Sequence, residues 1–415
     1  MKILIPIFSD AFLHPLHKDN DLSLLYVRHV GDTEGKMICL NHPDCVDRDT
    51  IDDIKNDHTS FYITPDVKKI KHIFPNNRLI DVNFIHWWDK NIPMDLDNIR
   101  INAYDFFHSK YYNVKDVNKI IPLCKHKEYC DKLFEKINDY IETCYDNSYH
   151  VDVIEAFSNI ERKGIKVTDN VCGIFDERVR KHISDGKLYS QYNLWTSTGR
   201  PSNSFGSVNF AALPPEKRSA FMSENSMFVE YDFDAYHLRL IGDLVDYAFD
   251  KDSVHQHLAE FYGSTYEESK QISFKLLYGG ITKEIREKVP FFDKVQNYIN
   301  LLWSEYNRDK CIKTNIYNRR IVLDDSNRNK LFNYAIQAYE TERNIQSILK
   351  VNRYLSNKKT DLVLYGYDSF LFDFHKNDGV DTLKDIKNIL EDNKYPTKIK
   401  IGDIYSSMVD VTNRL

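Results

Sequence analysis

Residues 362–374 read LVLYGYDSFLFDF, two apolar runs joined by a short polar turn. Runs rich in aliphatic and aromatic residues favour β-strands, and Gly366 between them favours a tight turn. The pattern therefore predicts a β-hairpin, with strands at 362–365 and 370–374, that carries Asp368 near its tip.

A second acid ends another predicted strand. Residues 227–232 read MFVEYD, and the pattern after them predicts a helix over 236–248. If this strand shares a sheet with the hairpin, Asp232 and Asp368 emerge at the same end of that sheet. Two carboxylates there suit a pair of Mg²⁺ ions roughly 3.5–4 Å apart, the arrangement that catalyses phosphoryl transfer. Aspartates at strand ends are common in proteins of every function, so the pair alone is a weak signal.

A helix is predicted over 266–278, closed by two glycines. Lys270, Phe274 and Tyr278 recur at four-residue intervals and therefore share one face of it. This face offers an ammonium group for a phosphate and two aromatic rings for a sugar and a base. Taken alone, the pattern is better explained by an amphipathic helix with buried rings and the lysine at its rim.

Several stretches of the chain follow one another in a characteristic order. They are TSTGRPSN at 196–203, VNFAALP at 208–214, VEYDFDAYHLR at 229–239, KQISFKLLYGG at 270–280, NYAIQ at 333–337 and YDS at 367–369. In this order they resemble the Thr-Gly-Arg stretch with its continuation, motif A, the O helix, the Asn-x-x-x-Gln helix and motif C of family A (Klenow-like) DNA polymerases. Shorter similarities are IERKGI at 160–165, VH at 254–255 and KIG at 400–402. The resemblance covers about residue 152 to the C terminus and is closest to a compact, phage-type member.

The resemblance implies a fold of the α+β and α/β classes. It would be a right-hand polymerase of palm, fingers and reduced thumb, preceded by a small α/β N-terminal domain. The implied domains are 1–118 for the N-terminal domain, 119–199 for connecting helices and the reduced thumb, and 200–415 for palm and fingers, with the fingers at about 250–300. Only 168–195 is available where the family has a long helical thumb, so the thumb is either rudimentary or built from another segment, such as the helices at 117–150.

The resemblance also implies roles for single residues. Asp232 and Asp368 would be catalytic and, with the backbone carbonyl of Phe233, would bind two Mg²⁺ ions, for which Mn²⁺ can substitute. The residues implied for the incoming nucleotide are Lys270, Phe274, Tyr278, His255 and His237. The residues implied for the primer-template are Arg200, Asn209, Asn333 and Gln337. The implied partners are primer-template DNA and dNTPs, and a processivity factor is left open.

Some positions depart from the family pattern. Tyr266 stands where the O helix usually has an arginine, so one phosphate-binding cation is missing. His237 replaces the motif A glutamate that crowds the sugar 2′ position, which leaves discrimination against ribonucleotides open. In motif C, Tyr367 and Ser369 replace the family's histidine and glutamate.

The N-terminal region occupies the place of the family's 3′–5′ exonuclease. Such an activity needs Asp-x-Glu on the first strand, but the first predicted strand, 3–7, reads ILIPI. Asp32 and Glu34 have the right spacing, yet they fall in a predicted loop between two strands. We therefore expect a degenerate exonuclease-like domain or an unrelated one, with an active nuclease as the alternative.

The amino-acid composition and net charge limit the class of protein and the way in which it could bind nucleic acid. The chain has 415 residues, 42% hydrophobic and 28% charged, with a net charge of −6, which is typical of a globular protein. Nucleic-acid binding would therefore need a local basic groove. The aromatic share of 13% fits either base stacking or an AT-rich genome.

The cysteines and the lengths of the apolar runs indicate the cellular compartment in which the protein is expected. The seven cysteines form no CxxC pair, and the run CLNHPDC at 39–45 has the wrong spacing for a zinc knuckle. Free thiols, the short N-terminal apolar run and the lack of a membrane-length stretch predict a soluble cytoplasmic protein, in the host cytoplasm if viral.

Two other functions fit parts of the pattern. A single-subunit RNA polymerase or a reverse transcriptase shares the palm and the metal chemistry, and His237 keeps that possibility open. A non-catalytic nucleic-acid-binding protein on a polymerase scaffold would explain the missing O-helix arginine and the missing motif C glutamate.

Overall fold

The computed structural model describes residues 1–10, 13–94, 122–141, 147–203, 208–249 and 253–414, without the side chains of Tyr278 and Gly279. The described chain forms two compact units. The first unit comprises Met1–Trp195, Ser202–Glu224 and Ile404–Ser407, and the second comprises Thr196–Pro201, Asn225–Asp403 and Met408–Leu415. The predicted boundary at 118/119 lies outside the described residues.

The first unit contains short strands and helices. Its strands are β1 Lys2–Phe8, β2 Leu22–His29, β3 Lys36–Cys39, β4 Phe61–Thr64, β5 Arg78–Asp81, β6 Ile165–Val167, β7 Ile183–Ser184, β8 Lys187–Leu188, β9 Tyr192–Asn193, β10 Ser202–Asn203 and β11 Phe221–Met222. Its helices are α1 Asp52–Lys55, α2 Val67–Lys71, α3 Val82–Lys90, α4 Leu123–Asn138, α5 Ser148–Lys163, α6 Val171–Ile174 and α7 Glu177–Arg180.

The second unit has longer helices around one main sheet. Its strands are β12 Met227–Phe233, β13 Cys311–Lys313, β14 Arg320–Val322, β15 Asp361–Tyr365, β16 Ser369–Phe374, β17 Thr397–Gly402 and β18 Val409–Asp410. Its helices are α8 Tyr236–Leu244, α9 Val254–Tyr262, α10 Tyr266–Gly279, α11 Lys283–Lys288, α12 Pro290–Asp309, α13 Arg328–Leu355 and α14 Val380–Glu391.

The main sheet of the first unit has the strand order β3-β2-β1-β4-β5. Strands β1, β2 and β3 pair antiparallel, whereas β4 and β5 run parallel to β1. The side chains of β1 are mostly buried and carry no acid, and Asp32 and Glu34 lie in the loop between β2 and β3, as predicted. Helix α5 ends at Gly164, whose φ of 66° is in the left-handed region that glycine adopts readily.

The second unit is built on an antiparallel sheet of order β15-β16-β12-β17-β18. The predicted hairpin forms as β15 and β16, and β16 pairs directly with β12. On one side of the sheet, the Tyr231 hydroxyl donates to the carbonyl oxygen of Leu383 in α14 at 2.8 Å. Helices α8, α9, α10, α12 and α13 share a separate apolar core that includes the buried residues Leu258, Phe292 and Ile336.

One helix limit differs from the sequence prediction, and the start of a second helix has a clear physical cause. The helix predicted over 236–248 ends at Leu244, because Asp246 adopts a φ of 51° that no α-helix tolerates. The long helix α13 begins at Arg328 because the Asn327 side chain accepts a hydrogen bond from the Lys330 N–H at 2.9 Å and caps it.

The expectation that all cysteines are free thiols is wrong for one pair. Cys39 and Cys45 form a disulfide, because the chain turns back at His42, whose carbonyl oxygen accepts the Cys45 N–H at 3.0 Å. The free cysteines among the described residues are Cys124, Cys130, Cys172 and Cys311. Within the described residues, no helix combines the length and the apolar character needed to cross a bilayer.

Helix α10 begins with a reciprocal cap that can be tested. Thr265 Oγ1 accepts from the Glu268 N–H at 3.3 Å, and the Glu268 carboxylate accepts from the Thr265 N–H at 2.9 Å. Thr265→Ala should lower the free energy of unfolding by about 1 kcal/mol, whereas Thr265→Ser should not. Urea unfolding gives the magnitude, and hydrogen exchange should show faster exchange confined to the first turn of α10. Equal exchange in both variants would contradict the cap.

Candidate active site

Strand pairing brings the two predicted acids to one end of the sheet of the second unit. In the antiparallel register, Asp232 of β12 lies opposite Ser369 of β16. The next residue, Phe233, donates its backbone N–H to the carbonyl oxygen of Asp368 at 2.9 Å. The two aspartates thus belong to neighbouring strand ends, as the sequence predicted.

The turn that carries Asp368 is tightly held. The Gly366 N–H donates to the Ser369 carbonyl at 2.8 Å, and the Asp368 N–H donates to the Gly366 carbonyl at 3.1 Å. Between them, Tyr367 has a φ of 71°, which costs a residue with a Cβ roughly 1 kcal/mol. Such strain persists only where surrounding contacts enforce it.

Asn344 of α13 provides those contacts. Its Nδ2 donates to the Tyr367 carbonyl at 2.7 Å and to the Tyr365 hydroxyl at 3.0 Å. Its Oδ1 accepts from the Tyr236 hydroxyl at 2.6 Å. One buried amide therefore ties the strained turn to the helix that follows Asp232.

The two acids resist ionisation. Burial, followed by the negative charges of Asp368 and Glu230, raises the pKa of Asp232 to about 6. The pKa of Asp368 is also raised, first because protein atoms replace part of its hydration shell. A bound divalent cation would reverse both effects, since its positive charge stabilises the carboxylates.

Two lysines form ion pairs with the acids on either side of Asp232, but neither forms an ion pair with Asp232. Lys398 Nζ lies 2.7 Å from the Asp234 carboxylate, and Lys400 Nζ lies 3.4 Å from that of Glu230. Within the described parts of the chain, the Asp232 carboxylate has no hydrogen-bond or ion-pair partner. Its oxygens are hard ligands of the kind that Mg²⁺ prefers, so this edge of the sheet fits a magnesium site.

Helix α10 presents its predicted face to solvent. Lys270 is exposed, and Phe274 remains 41% exposed despite its apolar ring. The explanation of this face as a buried amphipathic stripe is therefore wrong for Phe274. The Tyr278 side chain lies outside the described residues.

His255 lies at the start of α9 and is nearly fully buried. Its ring packs edge-on against Tyr266, with 5.5 Å between the ring centroids. Tyr266, which stands where the O helix usually has an arginine, therefore covers His255. The pKa of His255 is lowered by burial, while the charge of Asp234 acts in the opposite direction and that of Lys270 lowers it further. Lys270 and His255 thus share one electrostatic environment with Asp234.

A buried acid that sequence reasoning missed joins two of the predicted residues. Glu340 of α13 has no solvent exposure, and its Oε1 lies 3.1 Å from His237 Nε2. Its Oε2 forms an ion pair with Arg200 Nε at 3.0 Å. The Arg200 guanidinium also lies over the Tyr367 ring, 3.8 Å from its centroid. In the sequence, Glu340 is visible only as an acid on the apolar side of a long helix. That position does not reveal that His237 and Arg200 are its partners.

The residues predicted to contact the primer-template do not all fall in one unit. Asn333 and Gln337 are half-buried neighbours on α13, with Gln337 Nε2 donating to Asn333 Oδ1 at 3.2 Å. Arg200 belongs to the same second unit. Asn209 belongs to the first unit, where its exposed side chain accepts from the Ala212 N–H at 3.3 Å.

The first unit has a separate group of metal-capable side chains. Potential ligand atoms of His14, His72 and Glu161 all lie within 4.8 Å of one another. The Glu161 carboxylate, however, already binds the Lys68 ammonium and the Tyr192 N–H. Because a lysine occupies the carboxylate, this group is better suited to packing than to binding a cation.

Comparison with known proteins supports the fold. No protein-family model matches the chain, and no curated protein matches it. Among solved structures, the POL domain of Pol1 from M. smegmatis, in complex with DNA primer-template and dNTP, aligns with a TM-score of 0.68. The alignment covers 98% of this chain and 96% of the other at 13% sequence identity. At this identity the likeness shows the fold alone: the chain has the fold of a DNA polymerase domain.

The raised pKa of Asp232 gives a stability test without substrate. An acid with a pKa near 6 in the folded chain and near 4 when unfolded destabilises the fold as pH rises through this window. In EDTA, Asp232→Asn should therefore raise the free energy of unfolding by about 1–2 kcal/mol at pH 8 and leave it unchanged near pH 4. Asp234→Asn, which removes the partner of Lys398, should not stabilise the chain. A pH-independent effect of Asp232→Asn in urea titrations would count against a raised pKa of Asp232.

Proposed function

We propose that the chain is a template-directed DNA polymerase of the family A type, transferring nucleotides from dNTPs to a primer 3′-hydroxyl. The observation that carries the proposal is the pair of acids on adjacent strand ends, Asp232 and Asp368. Lysines neutralise the neighbouring acids but leave Asp232 available. The polymerase fold adds support, because the matched domain was solved with primer-template and dNTP.

In this proposal Asp232 and Asp368, with the Phe233 carbonyl at the end of β12, hold two Mg²⁺ ions. Such ions, when bound, activate the attacking oxygen and stabilise the leaving one. The chain itself orients the reactants. Lys270 would neutralise the triphosphate, and His255, buried beside it, would contact its outer phosphates.

Two further groups would position the substrates. Phe274 and Tyr278, one turn further on, would pack against the sugar and base of the incoming nucleotide. The exposed Phe274 ring would gain free energy when it is covered. Arg200, Asn333 and Gln337 of the second unit, and Asn209 of the first, would contact the primer-template.

RNA synthesis is the second candidate, favoured by one observation. The side chain at the position that faces the sugar in motif A is the imidazole of His237, not a carboxylate. Extension of a DNA primer with either dNTPs or rNTPs, on DNA and on RNA templates, separates a DNA polymerase from an RNA polymerase or a reverse transcriptase.

Loss of either metal-binding acid should abolish synthesis. Asp232→Ala and Asp368→Ala should each lower primer extension in Mg²⁺ by about 10³-fold or more, since several kcal/mol of transition-state stabilisation depend on the ions. Asp361→Asn, at the opposite end of the same hairpin, is the matched control. Both alanine variants should still bind primer-template in a gel-shift assay. If the wild-type chain binds DNA but never extends it, the non-catalytic scaffold is the better interpretation.

The short segment proposed for the thumb predicts low processivity. Because few residues are available to enclose the duplex, the isolated chain should add only a few nucleotides per binding event and should need a processivity factor for longer synthesis. A single-turnover extension with a heparin or excess-DNA trap measures the product length. Long products under the trap would contradict a reduced thumb.

The N-terminal domain is proposed to lack nuclease activity. The supporting observation is β1, which carries no acid where an exonuclease needs two. Degradation of a mismatched 3′ end that disappears in Asp32→Ala would overturn this part of the proposal.

A further inference from the structure

Glu340 is a fully buried carboxylate in the middle of α13. A buried charge is costly unless each of its oxygens is compensated. Here one oxygen faces His237 Nε2 at 3.1 Å and the other faces Arg200 Nε at 3.0 Å. The acid therefore bridges two side chains that come from distant parts of the sequence.

His237 acts on Asp368, one of the two acids proposed to bind metal. It is the second residue of α8, five positions after Asp232, and its positive charge lowers the pKa of Asp368. Its side chain is 22% exposed, so part of the ring faces the solvent side of the site while Nε2 points inward to Glu340. The imidazole is thus partly exposed and acts electrostatically on one of the two acids.

The contact with Glu340 fixes the ring. A carboxylate only accepts hydrogen bonds, so Nε2 carries the proton in this contact. An imidazole without such an anchor can rotate about both side-chain torsions and move aside at little cost. An anchored ring can move only if the buried carboxylate of Glu340 loses one of its two partners.

The second partner strengthens this anchor. Arg200 is held against the same carboxylate, and its guanidinium lies over Tyr367, the residue before Asp368. Moving Glu340 toward or away from His237 would therefore disturb the turn that carries Asp368. The geometry makes Glu340 a rigid support rather than an adaptable one.

We infer that Glu340 is a positioning residue that holds His237 against the sugar of the incoming nucleotide and so sets the preference for deoxyribonucleotides over ribonucleotides. The inference rests on the proposed polymerase function. If the imidazole is fixed, it sterically excludes the 2′-hydroxyl of a ribonucleotide, because moving aside would break its buried contact with Glu340. An imidazole that can move aside would admit the 2′-hydroxyl. Glu340 itself does not touch the nucleotide.

The same helix offers a matched control. Glu342 is equally buried, two residues further on, and its carboxylate accepts from the backbone N–H groups of Ile316 and Tyr317 at 2.9 and 3.3 Å. It therefore supports a different segment of the same unit. Glu342→Gln removes the same charge from the same helix without touching His237.

The measurement is the ratio of kcat/KM for a dNTP to that for the matching rNTP, on a DNA primer-template with Mg²⁺. Glu340→Gln and His237→Ala should each lower this ratio about tenfold, the effect of about 1.4 kcal/mol in relative transition-state stabilisation. The change should come mainly from a lower KM for the rNTP. Glu342→Gln should keep the wild-type ratio.

A double-mutant cycle separates positioning from a general structural effect. If Glu340 acts through His237, the variant Glu340→Gln/His237→Ala should have the ratio of His237→Ala alone. An unchanged ratio in Glu340→Gln, or a further fall in the double variant, would overturn the inference.

Two further results keep the test decisive. Glu340→Asp keeps the buried negative charge but withdraws the carboxylate by one methylene from both His237 and Arg200, so it should also lower the ratio if Glu340→Gln fails to fold. An unchanged ratio in a folded Glu340→Asp overturns the inference. If the wild-type chain extends the primer with neither dNTP nor rNTP, the proposed function and the inference are both wrong. If it extends the primer but the ratio of dNTP to rNTP use does not change in the Glu340 variants, only the inference is wrong.

Discussion

The site depends on the antiparallel pairing of β12 with β16, which places two like charges at adjacent strand ends. The register sets Asp232 opposite Ser369, and the Phe233 N–H binds the Asp368 carbonyl. Electrostatic repulsion and lost hydration both oppose this arrangement. It is maintained because the strands beneath it are buried and strongly apolar, so a change of register would break well-packed contacts.

Helix α13 contributes buried polar groups next to the two acids. Glu340 and Asn344 lie one turn apart, and between them they contact Arg200, His237 and the carbonyl of Tyr367. Each of these groups lies within a few residues of Asp232 or Asp368, or against the turn that carries it. A buried polar network of this kind favours one conformation, because Glu340 and Asn344 would lose buried partners in another.

The sequence was sufficient to predict the strands that carry the acids, since their apolar runs are long and end in turn-forming residues. It also placed Lys270 and Phe274 on one helical face. It could not reveal Glu340 or Asn344, because a polar residue inside a long helix has no local signal of its distant partners. The Cys39–Cys45 disulfide was missed although Pro43 and Asp44 are typical turn residues, because a turn in the sequence does not show that two cysteine side chains meet. The end of α8 was misplaced because a left-handed Asp246 cannot be anticipated from apolar spacing.

The exposed ring of Phe274 has a thermodynamic consequence. An aromatic side chain that remains 41% accessible orders water around it until a ligand covers it. Covering such a surface makes the heat capacity of association negative. The enthalpy of the proposed nucleotide binding at this helix should therefore become more favourable with rising temperature, a calorimetric signature of apolar contact that phosphate attraction alone would not give.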